Sequence, residues 1–409
     1  KCIVLFSVFI IVFFIAVSVV CRVAFNIPRR KNFFITVLCF GSIPIHTQNA
    51  YPRKQLQKLF FYLLFHLKKQ ENLMVYHSVS YAGIISMIIA GGTILSSLMS
   101  DRIIRKMGTG LVTAVSVFLT AAALFGFSVS NSFVLLCIFA LPYGLGAGAI
   151  DAALNNYVAL NYSSKHMSWL HCFWGVGASI SPYIMSFALS ENLGWKSGYR
   201  IVSVIQIVLT FVMFMALPLW KNKQSDEVEE VAKNAPITIK EKMKIRGIKD
   251  VMVAFCAYSA FEAMCCLWIS TYLAECRSVE TEGAAAFASL FYLGITVGRF
   301  IIGFFANKLG DKDMIRLGIF VILAGMVFVL LPFESYIPAL IGFAIVGFGA
   351  APVYPAFIHA TPENFGRENS QAIIGMQMTS AYIGSTFMPP IFGFVAEYTT
   401  VSIYPYNRH

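Results

Sequence analysis

Asp151 and Asn155 stand four residues apart in FVLLCIFALPYGLGAGAIDAALNNYVAL (133–160), a 28-residue stretch in which Asp151 is the only charged residue. An ionised carboxylate at the centre of a membrane helix costs roughly 3 kcal/mol even on insertion scales, so a chain that keeps one there supplies water, a partner or a proton. Four-residue spacing puts the carboxylate and the carboxamide on one helical face. That pair suits a polyhydroxylated ligand, because the carboxylate accepts hydroxyl protons while the amide both donates and accepts. Asn156 falls on a different face. A second acid, Glu262, lies in VMVAFCAYSAFEAMCCLWISTYL, with Tyr258 and Ser259 on its face and Trp268 and Tyr272 on other sides. His171 has Ser168 and Trp174 three residues away on either side, which gives an apolar helix one polar and aromatic face. Trp268 offers a ring either to a sugar's C–H face or to packing. Gln377 is a further cavity candidate, and Arg299 reads as a structural counter-ion. Asp151, Asn155, Ser168, His171, Trp174, Glu262, Trp268 and Gln377 therefore form the candidate substrate- and proton-binding set. The competing role for each is structural: hydrogen-bonded glue between helices, or packing.

Other chemistries find little support. Nine cysteines are scattered, mostly inside apolar runs, with no CxxC or Cys/His cluster, so no metal is expected. No nucleophile–base constellation falls on a loop, so the chain does not read as an enzyme, and no cofactor is expected beyond a coupling ion, the proton. The net charge of +11 is not a nucleic-acid footprint: residues 1–77 carry ten Lys/Arg and one acid, and the rest of the chain is close to balanced.

These residues need elements to hold them. The 409-residue chain is 58% hydrophobic and 12% charged, with mean hydropathy +0.71, which excludes an ordinary soluble domain. Apolar runs near 79–99, 110–128, 133–160, 166–190, 199–219, 250–274, 284–305, 313–331, 336–359 and 369–395 each have the length of a spanning helix. The expected class is an all-α, polytopic membrane protein. Lys and Arg set its orientation. Sixteen of them follow alternate spans, eight within 221–249, whereas the opposite loops hold only Lys196, Arg200 and Arg277. The first set is cytoplasmic.

The chain also repeats itself. SSLMSDRIIRKMG (96–108) is echoed by GFFANKLGDKD (303–313), which sets Asn307 206 residues after Asp101. YGLGAG (143–148) is echoed by VGFGAA (346–351) at a spacing of 203, and Pro182 by Pro389 at 207. Both copies place their basic loop on the same side, so the halves are parallel and joined by a charged cytoplasmic linker, the plan of a rocking transporter with its site near the midplane. The expected layout is an N-terminal bundle over 78–220 (helices 2–6), a linker over 221–249 and a C-terminal bundle over 250–409 (helices 7–11). Pro352, Pro355, Pro389 and Pro390 are expected to kink helices for gating.

Both ends depart from this plan. Residues 3–20 are apolar enough to span, but the basic stretch between them and residue 78 would then lie outside, against the rule the other loops obey. The reading is that the atypical segment 1–77 includes wrong-frame or rearranged translation and that helices 1 and 12 are incomplete. A basic amphipathic anchor is the alternative.

SSLMSDRIIRKMG resembles the loop between helices two and three of the major facilitator superfamily, G-x-x-x-D-R-x-x-R-K, with Ser97 in place of the glycine and Asp101, Arg102, Arg105 and Lys106 matching. The resemblance implies the major facilitator fold, transport by alternating access, and a gating cluster at this loop that contacts the opposite half. In the second copy Gly303 matches and Lys308 fits, while Asn307 replaces the acid. GLGAGAIDAALNNYVAL followed by HMSWLHCFWGVGASISP is similar to the fucose permease branch of sugar–proton symporters. There Asp151 takes an acidic position and Asn155 the Asn after it, with Ser168 where Asn and His171 where Gln are frequent. Glu262, Trp268 and Tyr272-Leu273 also match positions of that branch. The resemblance implies a monomer in a bacterial inner membrane that takes up a sugar or polyol with a proton. Proton-driven efflux of drugs or metabolites on the same scaffold is the alternative.

Overall fold

In hydrocarbon every backbone N–H and C=O must be satisfied within the protein, so long apolar runs fold as helices. The computed structural model describes residues 79–220 and 239–401, apart from 332 and 334, and the described residues are helical with no strands. In chain order they form α1 (Val79–Met107), α2 (Thr109–Val129), α3 (Phe133–Asn161), α4 (Ser164–Ser190) and α5 (Trp195–Met215). A short α6 (Ile239–Lys242) leads to α7 (Ile248–Arg277), α8 (Thr281–Leu309), α9 (Asp311–Leu330), α10 (Ile337–Ala350), α11 (Val353–His359), α12 (Thr361–Phe365) and α13 (Arg367–Val401). The expectations for 1–77, its span at 3–20, residues 221–238 of the linker and anything beyond 401 lie outside the described residues.

Among those residues nine stretches are long and apolar enough to cross a membrane, α10 and α11 counting as one. The tenth expected span, α13, is the longest helix at 35 residues. Gln371, Gln377, Thr379 and Ser380 lower its hydropathy, and all four are buried, so this helix turns a polar stripe inward. Pro352 marks a break rather than a kink: α10 ends at Ala350 and α11 starts at Val353. Proline cannot donate the bond that would continue the ladder. The Tyr258 hydroxyl donates to the Ala350 carbonyl at 2.7 Å, holding α7 against the break.

The repeat is written in the backbone. α1 and α2 are joined by Gly108 alone (φ 75°, ψ 156°), and α8 and α9 by Gly310 alone (φ 76°, ψ 158°). Those angles are open essentially to glycine only. α3 packs on α1 and α2 as α10 packs on α8 and α9. The echoed glycines do the same work in each copy. A Cβ on Gly144 would strike the Ile89 carbonyl of α1, and one on Gly347 would strike the Phe291 carbonyl of α8. Likewise Gly146 lies against the Ser116 carbonyl of α2, and Gly349 against Gly318 and Ile322 of α9. Small residues at these crossings let helices meet backbone to backbone. The halves then join along two seams that the repeat exchanges, α1 with α13 and α4 with α8.

Candidate functional site

The apolar helix α3 delivers Asp151 to the layer where the halves meet. Its Oδ1 accepts from Asn155 Nδ2 at 2.8 Å, one turn along the same helix, and its Oδ2 accepts from the Tyr382 hydroxyl of α13 at 2.7 Å. Both are short bonds from neutral donors to a carboxyl group. Asn155 continues the chain of bonds: His171 Nε2 of α4 lies 3.1 Å from its Oδ1, and so donates to it. The His171 ring meets Tyr354 of α11 edge to face at 5.1 Å, and the Tyr354 hydroxyl reaches the Met378 sulfur of α13 at 3.3 Å. Asn155 Nδ2 approaches the same sulfur at 3.7 Å. Asp151, Asn155 and His171 thus become one cluster, with residues of both halves as its walls. Such a cluster can bind hydroxyl groups and can hold a proton at the Asp151 carboxyl oxygen.

The second acid is held differently. Glu262 Oε1 lies 3.6 Å from Arg299 Nη2 across the α7–α8 interface. Arg299 is 2% exposed. Its Nη1 donates to the His171 carbonyl at 3.4 Å, and its guanidinium lies 5.7 Å from the Trp174 ring. The counter-ion role read for Arg299 matches this geometry, and Arg299 links the two acids through the backbone of α4. Trp174 is 56% exposed and turned toward Arg299, whereas Ser168 and His171 on the same helix are buried. The i, i+3, i+6 spacing drifts around the helix, so these three share a face only loosely.

Trp268 and Gln377 stand apart from both groups. The Trp268 ring packs on Phe392 at 4.9 Å, beside Gly393. The Gln377 side-chain oxygen accepts from Thr361 at 3.0 Å.

At the cytoplasmic end Asp101 pairs with Arg105 at 2.9 Å, as the four-residue spacing requires. Its second cation, Lys242 at 3.5 Å, comes from α6, so the Asp101 charge meets the linker rather than a charge of the opposite half. Burial pulls the Lys242 ammonium below its usual range, and the Asp101 charge pulls it back up. Arg102 and Lys308 are exposed, and neither makes an ion pair among the described residues. Gly303 has a packing role: a Cβ there would strike the Trp169 indole of α4.

Contact between the halves at this end runs through uncharged groups on one seam and a mixed cluster on the other. On the first, Gly375 sits against Ser97 and Ser100, Gln371 reaches Ser100 at 3.4 Å, and Ser370 donates to Asn156 at 2.6 Å. On the second, Ser164 donates to Asp311 at 2.6 Å. His359 Nδ1 lies 2.7 Å from the other Asp311 oxygen, and its Nε2 lies 3.0 Å from the Tyr162 carbonyl. Arg367 donates to the Leu160 carbonyl at 3.3 Å, and the Lys165 amide to Asn307 at 3.3 Å. The described halves are closed at the end that carries the basic loops.

Tyr382, Tyr354, Met378, Asp311, His359 and Lys242 escaped the sequence reading. Two of them carried a signal: Tyr354 follows Asp151 at the 203-residue spacing of the YGLGAG echo, and Met378 follows His171 at the 207-residue spacing of the proline echo.

A family model described as Major Facilitator Superfamily matches residues 58–389. Among curated proteins the chain is similar to three relatives in particular. It is 23% identical to Bypass of stop codon protein 6 of Saccharomyces cerevisiae over 59% of this chain and 53% of that protein. It is 20% identical to the cis,cis-muconate transport protein of Acinetobacter baylyi over 83% of each chain. It is 24% identical to the glucose/mannose transporter GlcP of Bacillus subtilis over 64% and 66% of the two chains. Among solved structures it superposes on the outward conformation of the transporter FucP with a TM-score of 0.64 at 14% identity, over 84% of this chain and 89% of that one. A single-residue variant of the E. coli fucose:proton symporter FucP gives 0.61 at 14% identity over 98% and 92%. The proton:xylose symporter XylE gives 0.60 at 12% identity over 97% and 90%. At these identities the structures speak to the fold.

Proposed function

The chain belongs to the Major Facilitator Superfamily, and from that premise we propose that it is a proton-coupled importer of a sugar or related polyol. It is a multi-pass membrane protein that works by alternating access and has no enzymatic step. We place it as a monomer in a bacterial inner membrane. The carrying observation is the cluster of Asp151, Asn155, His171 and Tyr382, hydrogen-bonded across the layer where the halves meet. Its donors and acceptors alternate as a sugar's hydroxyls require, and its one carboxyl group can take the coupled proton. Sugar transporters among the similar proteins, GlcP and XylE, support the same reading.

In the proposed cycle the site opens outward, Asp151 takes a proton and exchanges its Tyr382 and Asn155 bonds for ligand hydroxyls. The cytoplasmic seams then part. Closure at Ser370–Asn156 and Asp311–Ser164 marks the state before that parting. Reconstituted protein should concentrate labelled sugar from a panel of hexoses and pentoses when an inward proton gradient is imposed. Asp151→Asn should abolish concentration while leaving sugar counterflow. If the wild type ignores the gradient for the whole panel, or instead confers drug resistance without sugar accumulation, the import reading fails and efflux takes its place.

A further inference from the structure

Lys242 and Arg299 are the buried Lys and Arg side chains among the described residues, and of the two Arg299 reaches the layer of the two acids. A guanidinium presents five N–H donors in a fixed fork. Charge-assisted bonds to carboxylates run about 2.7–2.9 Å, yet Arg299 has Glu262 at 3.6 Å and the His171 carbonyl at 3.4 Å. Its Nε is buried with no hydrogen-bond partner. Two more buried hydroxyls without partners sit on the helices packed around it: Ser168 on α4, one turn from His171, and Ser259 on α7, one turn from Glu262. Orphaned polar groups in an interior are costly, and more so when charged. The seam between α4, α7 and α8 therefore holds spare donors. The Trp174 ring, itself exposed, lies beside the guanidinium.

We propose that Arg299 receives a carboxylate of the transported solute, which makes the substrate class an acidic sugar such as a hexuronate. The inference rests on the transport reading and narrows its substrate. The solute carboxylate takes the fork of Arg299, and its hydroxyls face Ser168 and the Asp151–Asn155–His171 cluster. Glu262 gives up its counter-ion and takes a proton from the outer aqueous side. At this pair one anion and one proton enter together, so the net charge around Arg299 is the same before and after binding. That balance matters because an uncompensated buried charge costs several kcal/mol.

The test uses the full chain in proteoliposomes, with labelled glucuronate against glucose as its neutral counterpart, alongside tryptophan fluorescence titrations with glucuronate, glucose and chloride. Expected is accumulation of glucuronate at least about tenfold over glucose, a preference worth about 1.4 kcal/mol. Arg299→Lys, which keeps the charge but not the fork, should lower the ratio of glucuronate to glucose uptake by about tenfold. Glu262→Gln should bind glucuronate with one fewer proton taken up than the wild type. Glucose accumulation without glucuronate accumulation overturns the inference and leaves the transport reading standing. So does an uptake ratio unchanged in Arg299→Lys, or a fluorescence response to chloride alone. If neither solute accumulates or binds, the transport reading falls and takes this inference with it.

Discussion

Each half of the repeat places one acid in the apolar layer and engages another, Asp101 or Asp311, at the end of the basic loops, and the halves hold them by opposite means. In the N-terminal half the deep acid, Asp151, has two short bonds from neutral groups, while the shallow acid, Asp101, is flanked by two cations. In the C-terminal half the deep acid, Glu262, faces a cation at 3.6 Å, while the shallow Asp311 is held by a serine and a histidine. The difference is one of exchangeability. Neutral donors hold a carboxyl group in either protonation state, because a protonated carboxyl still accepts and gains a donor. A buried ion pair fits one state only, since losing either charge strands the other. On the proposed reading the N-terminal half takes and releases a proton at rest, and the C-terminal half does so only when something replaces a charge.

The sharpest break in this comparison is Arg299→Leu. It leaves the part-buried Glu262 without its cation and should cost about 3 kcal/mol, read as a lower melting temperature in detergent. Adding Glu262→Gln should recover most of that loss; a double variant no more stable than the single would show that the pair is not the source of the cost. Next is Tyr382→Phe, which removes one of the two short bonds to Asp151. A hydrogen bond to a charged group is worth about 1.5–3 kcal/mol, so the pH midpoint of gradient-driven uptake should move by one unit or more, about 1.4 kcal/mol per unit. An unmoved midpoint would detach Asp151 from the coupled proton.

A smaller effect is expected at His359. Its two ring nitrogens both face acceptors, the Asp311 carboxylate and the Tyr162 carbonyl, and both bonds form only when each nitrogen carries a hydrogen. Asp311 and Glu363 supply negative charge around it, and the Lys165 and Arg367 side chains belong to the same junction of the halves. Raising cytoplasmic pH should therefore loosen this closure by about one hydrogen bond, roughly 1 kcal/mol. Cross-linking of cysteines placed across the cytoplasmic seam should fall with pH in the wild type and stay flat in His359→Gln. Smallest is Asp313→Asn. Its partner Arg316, at 3.0 Å, is itself well exposed, so stability should move by no more than about 0.5 kcal/mol.

Much of the fold was legible because hydrocarbon leaves one answer for a long apolar run. The single-glycine joints at Gly108 and Gly310 were not legible that way: the echo sets Asn307 206 residues after Asp101, whereas the two glycines lie 202 apart. α13 shows where hydropathy gives out: a helix that lines the junction of two halves buries glutamines, and its composition then understates its depth. The site was legible where one residue broke a local rule. Asp151 and Glu262 are acids in apolar runs, and that anomaly needs no partner to be seen. Tyr382 breaks no rule, being one of 18 tyrosines in a chain rich in aromatics, and only the fold brings it 231 residues back to Asp151. The cytoplasmic end shows a different limit. Aligning the repeats pairs Asp101 with Asn307, the matching position, yet the acid that reaches across the seam is Asp311, one turn further on. Alignment finds equivalent positions, and contact is decided by which side chain the joint points outward.

The spacing of 203 residues that pairs Gly144 with Gly347 also pairs Asp151 with Tyr354, and the spacing of 207 that pairs the prolines pairs His171 with Met378. Around the axis between the halves, an acid thus faces a phenol and an imidazole faces a thioether. Had the copies stayed identical, a solute on that axis would find the same wall on its left and right and could sit in two orientations. These four side chains remove the ambiguity. In the proposed site a solute therefore has one seat rather than two related by that axis, because the duplication that built the halves is undone where they meet.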